Sequence, residues 1–438
     1  MKKKNFIFIL ADDLGYADLG VHWDIEGSKG LSTSPRLDQL SKEGLVFKRS
    51  YSNSSVCSPT RIALMTGRWQ YRLRAGADEP LPTSNKLNGI GLPPEHPTLA
   101  SLLKKAGYQT ALVGKWHLGN PPNFGPNLSG YDHFFGFHAG ANDYFAHCNS
   151  RGEHDLWTNG EETHCDGYMT DLISKQAVDY IQQSQEDKPF FLSVHYSAPH
   201  WPWLGREDRE ESKAINAKLK HTDGGSLEKY RAMIHHMDEG IGWILDALEE
   251  KGLSNDTCII FTSDNGGERF SKNWPLMGQK MDLLEGGIRV PCIARLPGVI
   301  QPGYSETPII TMDWTRTILS IAGTKMDNDF PMDGQDLSPL FSDHSWEPDR
   351  SLYWRMNHRA QKAIIKGHWK YLEMEGISYL FNLSEDCRER ANLKDKHPDI
   401  FRKMKSEWEE WNTQIPEIPS DANVSLVFDK KDLPMATF

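Results

Sequence analysis

Four short apolar runs constrain this chain more than any other feature: "NFIFILA" (5–11), "TALVGK" (110–115), "FFLSVHYS" (190–197) and "CIIFTS" (258–263). Each is too short for a buried helix and is rich in branched or aromatic residues, so each reads as a strand buried on both faces. Helical patterns lie between them. In "SLEKYRAMIHHMDEGIGWILDALEEKGL", Tyr230, Met233, Ile234, Met237, Ile241, Ile244, Leu245 and Leu248 recur at helical spacing, and Gly252 is a stop signal. The expected fold class is α/β, a large mixed, mostly parallel sheet sandwiched by helices. The texture changes after about residue 345. There "AIIKGHWKYLEM" and "ISYLFNL" read as paired antiparallel strands, and "HPDIFRKMKSEWEEW" as an amphipathic helix. Residues 1–345 are therefore expected to form one large domain and 346–438 a smaller C-terminal subdomain.

Composition narrows the function classes. The 438 residues are 38% hydrophobic and 25% charged, with a formal net charge of -11, the balance of a globular chain with a sizeable core. No stripe of Lys and Arg is present, which argues against a nucleic-acid partner. No apolar run approaches the ~20 residues of a membrane-spanning helix. The start, "MKKKNFIFILADDLGYADLG", imitates a leader peptide, but its apolar block is short and Asp12 and Asp13 follow at once, so a strand is the better reading. The expected location is periplasmic or extracellular if a leader has been trimmed upstream, and cytoplasmic otherwise. The 6 cysteines form no CxxC pair. Asn159-Gly160 predicts a hairpin turn that could bring Cys148 and Cys165 together, as a disulfide or as two free thiols. A metal site with His147 and His164 is a weaker option.

The residues just after each strand carry the chemistry. Asp12 and Asp13 succeed the first, Lys115 and His117 close the second, His200 comes after the third, and Asp264-Asn265 with two glycines come after the fourth. In open α/β sheets ligands sit beyond the carboxyl ends of the strands, so these residues are expected on one rim. Taken singly, Asp13 could cap a helix, Asp264-Asn265 could be a turn, and either histidine could be structural. Together, oxygen ligands from Asp12, Asp13, Asp264 and Asn265 suit a hard cation, Ca²⁺ before Mg²⁺, and not zinc. In "SNSSVCSPTRIALMTGR", Ser58-Pro59 predicts a capped helix start, and Gly67 its end. Cys57 would then lie just before a helix N-terminus, as a buried structural cysteine or a reactive thiolate.

Cys57-Ser58-Pro59-Thr60-Arg61 resembles the C-x-P-x-R signature of the type I, formylglycine-dependent sulfatases of the alkaline phosphatase superfamily. The resemblance extends through "ILADDLGY", "TSPRLDQLSKEG", "TLASLLKKAGYQTALVGKWHLG", "GYDHFFGF", "SAPHWPW", "FTSDNGG", "EGGIRVP", "MDGQDLSPLF" and "LFNLSEDCRERANL", in the family's order. Its texture is similar to the arylsulfatase and N-acetylgalactosamine-sulfatase branch. One departure is Asp386-Cys387, where the family commonly has Asp-Pro. The resemblance implies that Cys57 is oxidised to formylglycine, and that Asp12, Asp13, Asp264, Asn265 and the converted Cys57 hold calcium. It further implies that Arg61 and His117 hold the aldehyde hydrate, and that Lys115, His200 and Lys280 contact the sulfate and leaving-group oxygens. A hydrate makes chemical sense. One hydroxyl attacks sulfur, and loss of the other's proton expels sulfate, a step that an ordinary serine ester lacks. His117 would assist that expulsion, Asp264 would activate the attacking hydroxyl, and His200 or Lys280 would protonate the departing alcohol.

The implied function is hydrolysis of sulfate monoesters, on a sulfated carbohydrate or an aryl sulfate, with a formylglycine-generating enzyme as maturation partner. Trp201, Trp203, Tyr144, Trp157 and Trp274 are candidates to stack on sugar rings, and His147, His154 and Arg151 to contact substrate polar groups. Two other readings stand beside it: a phosphonate or phosphate ester hydrolase on the same fold, and a sulfated-glycan-binding protein in which Cys57 stays a thiol.

Overall fold

The computed structural model describes residues 3–25, 32–83, 89–185, 187–215, 219 and 224–425. The four apolar runs become the strands Asn5–Ala11, Gln109–Lys115, Phe190–His195 and Thr257–Ser263. Asn5–Ala11 lies between the last two, parallel to both, and Gln109–Lys115 extends the parallel set on the far side of Phe190–His195. They form the centre of a ten-stranded sheet that is mixed only towards its edges, where Cys292–Arg295 and Trp157–Thr158 run antiparallel to their inner neighbours.

Side chains alternate faces along a strand, and both faces here are covered. Ile7, Ile9 and Ala11 enter one apolar cluster, with Met233, Ile241 and Ile244 of the helix Leu227–Glu250. Phe6, Phe8 and Leu10 enter a second cluster, with Ile62 and Leu64 of the helix Cys57–Thr66. This two-sided burial explains why the strands read as unbroken apolar runs. Ser226 caps Leu227–Glu250 by accepting the Lys229 N–H at 3.2 Å, and Gly252, with φ of 66°, lies just beyond its end.

Leu352–Met356, Gln361–Lys366, Trp369–Met374 and Ile377–Asn382 form a separate antiparallel sheet. The helix Pro398–Thr413 packs on it through Met404, Trp408 and Trp411. Its first strand is the one that sequence pattern alone does not single out. The same apolar cluster takes in Val56, Ala63 and Ile288, so this sheet rests directly on the Cys57 helix. Gln361 is buried and bridges the two parts: its Nε2 donates to the Met281 carbonyl at 2.8 Å, and its Oε1 accepts the Leu283 N–H at 2.7 Å.

The Asn159-Gly160 hairpin forms, with φ of 50° and 90° at its two central residues, as a tight primed turn requires. It makes no disulfide. Cys148 pairs through its backbone with His154, Cys165 is exposed, and both are free thiols. Nor do His147 and His164 share a metal cluster: His147 Nε2 donates to Gly167 O at 3.1 Å, and His164 stacks on His154 at 4.2 Å.

Candidate functional site

The parallel register delivers the polar residues to one rim. The Asp264 N–H donates to Ala11 O and the Asp12 N–H to Ala198 O, both at 3.1 Å, so three chain segments leave the sheet stitched together. The helix Cys57–Thr66 arrives beside them and ends at Gly67, whose φ of 66° only glycine adopts freely. Its start differs from expectation. Cys57 is already the first helical residue, Val56 is the extended cap, and Ser58 does not cap. The Ser58 hydroxyl instead accepts the Leu81 N–H at 2.8 Å, tethering the segment around residue 81 to the helix. All ten helix residues are buried.

Three carboxylates meet three cations at this rim, all buried. Lys115 Nζ lies 2.5 Å from Asp12 Oδ2, Lys280 Nζ 2.7 Å from Asp13 Oδ2, and Arg61 Nη2 2.8 Å from Asp264 Oδ2. Arg61 also stands 3.7 Å from Asp12. Burial alone would raise the Asp13 pKa, but the charges of Lys280 and His200 more than offset it and bring it down to about 2. Burial and the neighbouring Asp12 push Asp264 up to about 6 despite Arg61. Cys57 Sγ donates to Asp12 Oδ1 at 3.5 Å, and burial raises its pKa, so the unmodified thiol is a poor nucleophile here.

The two histidines are held by backbone. His117, at φ of 58°, donates from Nε2 to Leu81 O at 2.9 Å, while its buried Nδ1 has no partner among the described residues. Burial, then Lys115, lowers its pKa well below the ordinary range. His200 donates from Nδ1 to Trp201 O at 2.6 Å, and its Nε2 lies 3.6 Å from Asp13 Oδ2. Burial and Lys280 lower it to about 3.

A cation fits this donor set. Ligand atoms of Asp12, Asp13, Cys57 and His200 all lie within 4.8 Å of one another. Asn265 Nδ2 donates to Asp13 Oδ1 at 2.7 Å, and its buried Oδ1 is without a partner among the described residues, an unsatisfied oxygen beside a carboxylate cluster. Asp264 stands differently from the other expected ligands. Its carboxylate is turned to Arg61, because a buried guanidinium needs a carboxylate, and it is not among the four clustered groups.

Cys57, His117, His200 and Lys280 line one cavity of about 330 Å³, with Arg151 and Trp201 on its wall. The other aromatic candidates lie elsewhere. Trp203 packs edge-on against Phe270, Trp157 donates to Asp155 Oδ1 at 2.8 Å, and Trp274 stacks under Arg388. Tyr144 is fully buried and donates to His200 O at 2.9 Å, so it is a support and not a sugar platform. His147 and His154 are held by the backbone contacts of their own loop. Sequence reasoning missed His195, whose Nδ1 donates to Lys115 O at 3.2 Å, the carbonyl that Arg61 Nη1 also reaches at 3.3 Å. Its place at the end of "FFLSVH" was the available signal. Gly140 was also missed: a Cβ there would meet His117 Cε1 at 2.6 Å.

The sequence profile of the family described as Sulfatase matches residues 4–324. N-acetylgalactosamine-6-sulfatase of Mus musculus is 34% identical over 390 residues, covering 84% of this chain and 71% of that protein. Arylsulfatase J of Mus musculus is 30% identical over 475 residues, covering 94% and 76%. The crystal structure of Ps i-CgsB in complex with k-i-k-neocarrahexaose superposes with a TM-score of 0.85 at 30% identity, covering 97% of this chain and 95% of that one. With its strand-end acids, its Cys57 helix and these relatives in agreement, the chain belongs to the sulfatase family.

Proposed function

We propose that this sulfuric ester hydrolase removes sulfate from a carbohydrate, using formylglycine made from Cys57 beside a calcium ion. The observation that carries this reading is the convergence of Cys57, His117, His200 and Lys280 on one cavity, backed by the Asp12 and Asp13 carboxylates. Asp12, Asp13, Asn265 and residue 57 would hold the cation, with Asp264 joining them through its Oδ1, which now accepts the Asp13 N–H at 3.3 Å. When present, the two groups would supply charge neutralisation at the ester oxygens and a hydroxyl nucleophile that regains its aldehyde after sulfate leaves.

The chain's own groups do the rest. Lys280 and Lys115 place positive charge where the anionic ester binds. Arg61 fixes Asp264 and, through the Lys115 carbonyl, the end of the neighbouring strand. His117, which lines the same cavity as residue 57, has an Nδ1 without a partner among the described residues and can take a proton there. Lys280 Nζ holds a proton available to the departing alcohol, whereas His200, neutral with its proton on Nδ1, would first have to gain one at Nε2. Burial of the whole Cys57 helix means that a maturation enzyme must meet Cys57–Arg61 before the chain folds. In this reading residues 1–345 carry the chemistry and 346–438 support it. A carbohydrate substrate is favoured by the sugar in the name of the galactosamine sulfatase and by the oligosaccharide held by the Ps i-CgsB structure.

The test pairs two measurements on protein from its native host. The mass of the Cys57 peptide is expected to show an aldehyde in place of the thiol, and aryl sulfate is expected to turn over faster than the matched aryl phosphonate. A Cys57→Ala variant is expected to fold and lose turnover. An unmodified thiol in an active enzyme, or a faster phosphonate reaction, defeats the reading.

A further inference from the structure

One wall of the cavity comes from far along the chain. Every other described residue that lines it falls between Cys57 and Lys280, but Ser425 lines it too. Ser425 belongs to the extended segment "DANVS" (421–425), which follows the last helix.

That segment lies beside Asp78 and Glu79 as an added parallel strand. Val424 pairs with Glu79: the Glu79 N–H donates to Asn423 O at 2.8 Å, and the Ser425 N–H donates to Glu79 O at 2.9 Å. The Asn423 N–H donates to Asp78 Oδ1 at 2.7 Å, and Arg74 pairs with Asp421 at 3.3 Å. Alternation along an extended chain then sorts the side chains. Val424 packs on the apolar cluster of the C-terminal sheet, and its neighbour Ser425 reaches the cavity. The strand it pairs with runs on into Pro80 and Leu81, which line the same cavity, and Leu81 is tied to Ser58 and His117. With so many backbone bonds the segment is a fixed wall and not a lid.

The Ser425 hydroxyl is poised to donate. Its Oγ accepts the Asn423 Nδ2–H at 2.6 Å, which leaves its own proton for a further acceptor, and none takes it among the described residues. We infer that Ser425 is a specificity-determining residue, donating to a hydroxyl or ring oxygen of the sugar that carries the sulfate, and that residues 421–425 bound the space this sugar occupies. The inference rests on the sulfatase reading above and deepens it, because it assigns recognition of the alcohol half of the substrate to a named group. Ser425 moves no proton in the reaction, so its effect belongs in KM.

The experiment measures kcat and KM for phenyl sulfate, whose ring carries no acceptor, and for the 4- and 6-sulfates of galactose and N-acetylgalactosamine. Wild type, Ser425→Ala, Ser425→Thr and Ser425→Trp are compared, each carrying formylglycine. In Ser425→Ala the ratio of kcat/KM for the best sugar sulfate over phenyl sulfate is expected to fall about fivefold, through KM. Ser425→Thr keeps the hydroxyl and is expected to restore most of that ratio. Ser425→Trp, which fills the wall, is expected to raise KM for both kinds of ester about tenfold with little change in melting temperature. A ratio that Ser425→Ala keeps, or KM values that a folded Ser425→Trp keeps, overturns the inference and leaves the sulfatase reading standing. If Ser425→Trp does not fold, the Ala and Thr variants decide alone. Wild type that hydrolyses phenyl sulfate and none of the sugars also overturns the inference. Wild type that hydrolyses none of these esters, with formylglycine present, removes both readings.

Discussion

Arg61 directs both Nε, at 3.0 Å, and Nη2, at 2.8 Å, to a single oxygen of Asp264, Oδ2, and so leaves Oδ1 to the Asp13 N–H. One carboxylate thereby serves two masters: it neutralises a buried guanidinium and holds the backbone that carries Asp13. Asp264→Asn removes the charge and keeps the shape. Because it strands the Arg61 charge in the interior, it is expected to destabilise the fold by about 3–5 kcal/mol, read by denaturant melts. Calcium affinity measured by calorimetry is expected to weaken as well. Normal affinity in a destabilised variant would make Asp264 a partner of Arg61 alone.

Gly140→Ala tests the placement of His117. The added methyl would approach His117 Cε1 to 2.6 Å and Nε2 to 2.7 Å, so the ring must leave the Leu81 carbonyl. A shift of this size is expected to lower kcat by about a hundredfold. Near-wild-type kcat would show that the ring position is not critical.

Gln361→Ala releases the Lys280 segment without touching the cavity. It leaves the Met281 carbonyl and the Leu283 N–H unpaired in the interior, at a cost of about 1–3 kcal/mol each. The expected outcome is a lower melting temperature with a fall in kcat larger than any change in KM, because Lys280 loses its register. Unaltered kinetics would restrict Gln361 to stability.

Glu79 predicts a pH dependence of stability. It is buried and accepts the N–H groups of Asn357 and His358, yet burial outweighs these bonds and raises its pKa from 4.5 to about 7. The folded chain therefore keeps this proton up to about pH 7, while the unfolded chain releases it near 4.5. The native state binds more protons across that window, so the Glu79 contribution is complete below pH 4.5 and declines as pH rises to about 7. The size is on the order of 3 kcal/mol. The stability difference between wild type and Glu79→Gln, followed by denaturant melts from acid to neutral pH, is expected to move by about that amount. A constant difference refutes the assignment.

Much of this architecture is legible in sequence because two-sided burial writes each central strand as an unbroken apolar run, and the residue after it then falls on the rim. Asp12, Lys115, His200 and Asp264 are found in that way. The antiparallel C-terminal strands are legible from their spacing, except Leu352–Met356, whose Arg355 interrupts the apolar pattern and is itself buried. Long-range choices are not legible. Arg61 takes Asp264 across 203 residues, and nothing local says that this carboxylate turns to the arginine while His200 joins the acid cluster. The helix start misleads because Ser58 has the right chemistry for a cap, but a more distant N–H, that of Leu81, claims its hydroxyl. The stacking role expected of Tyr144 and Trp203 fails for a simpler reason: large aromatic rings are more useful to a core of this size than to its surface.

The bridge from Gln361 to the Lys280 segment has an evolutionary corollary. The family profile ends at residue 324, so a comparison limited to that region omits the amide that fixes the lysine's loop. Two relatives that exchanged their C-terminal sheets by recombination would exchange this anchor too, and the hybrid would inherit every motif of the first half with its lysine set by a stranger. The small sheet therefore carries with it the amide that holds the backbone on either side of Asp282.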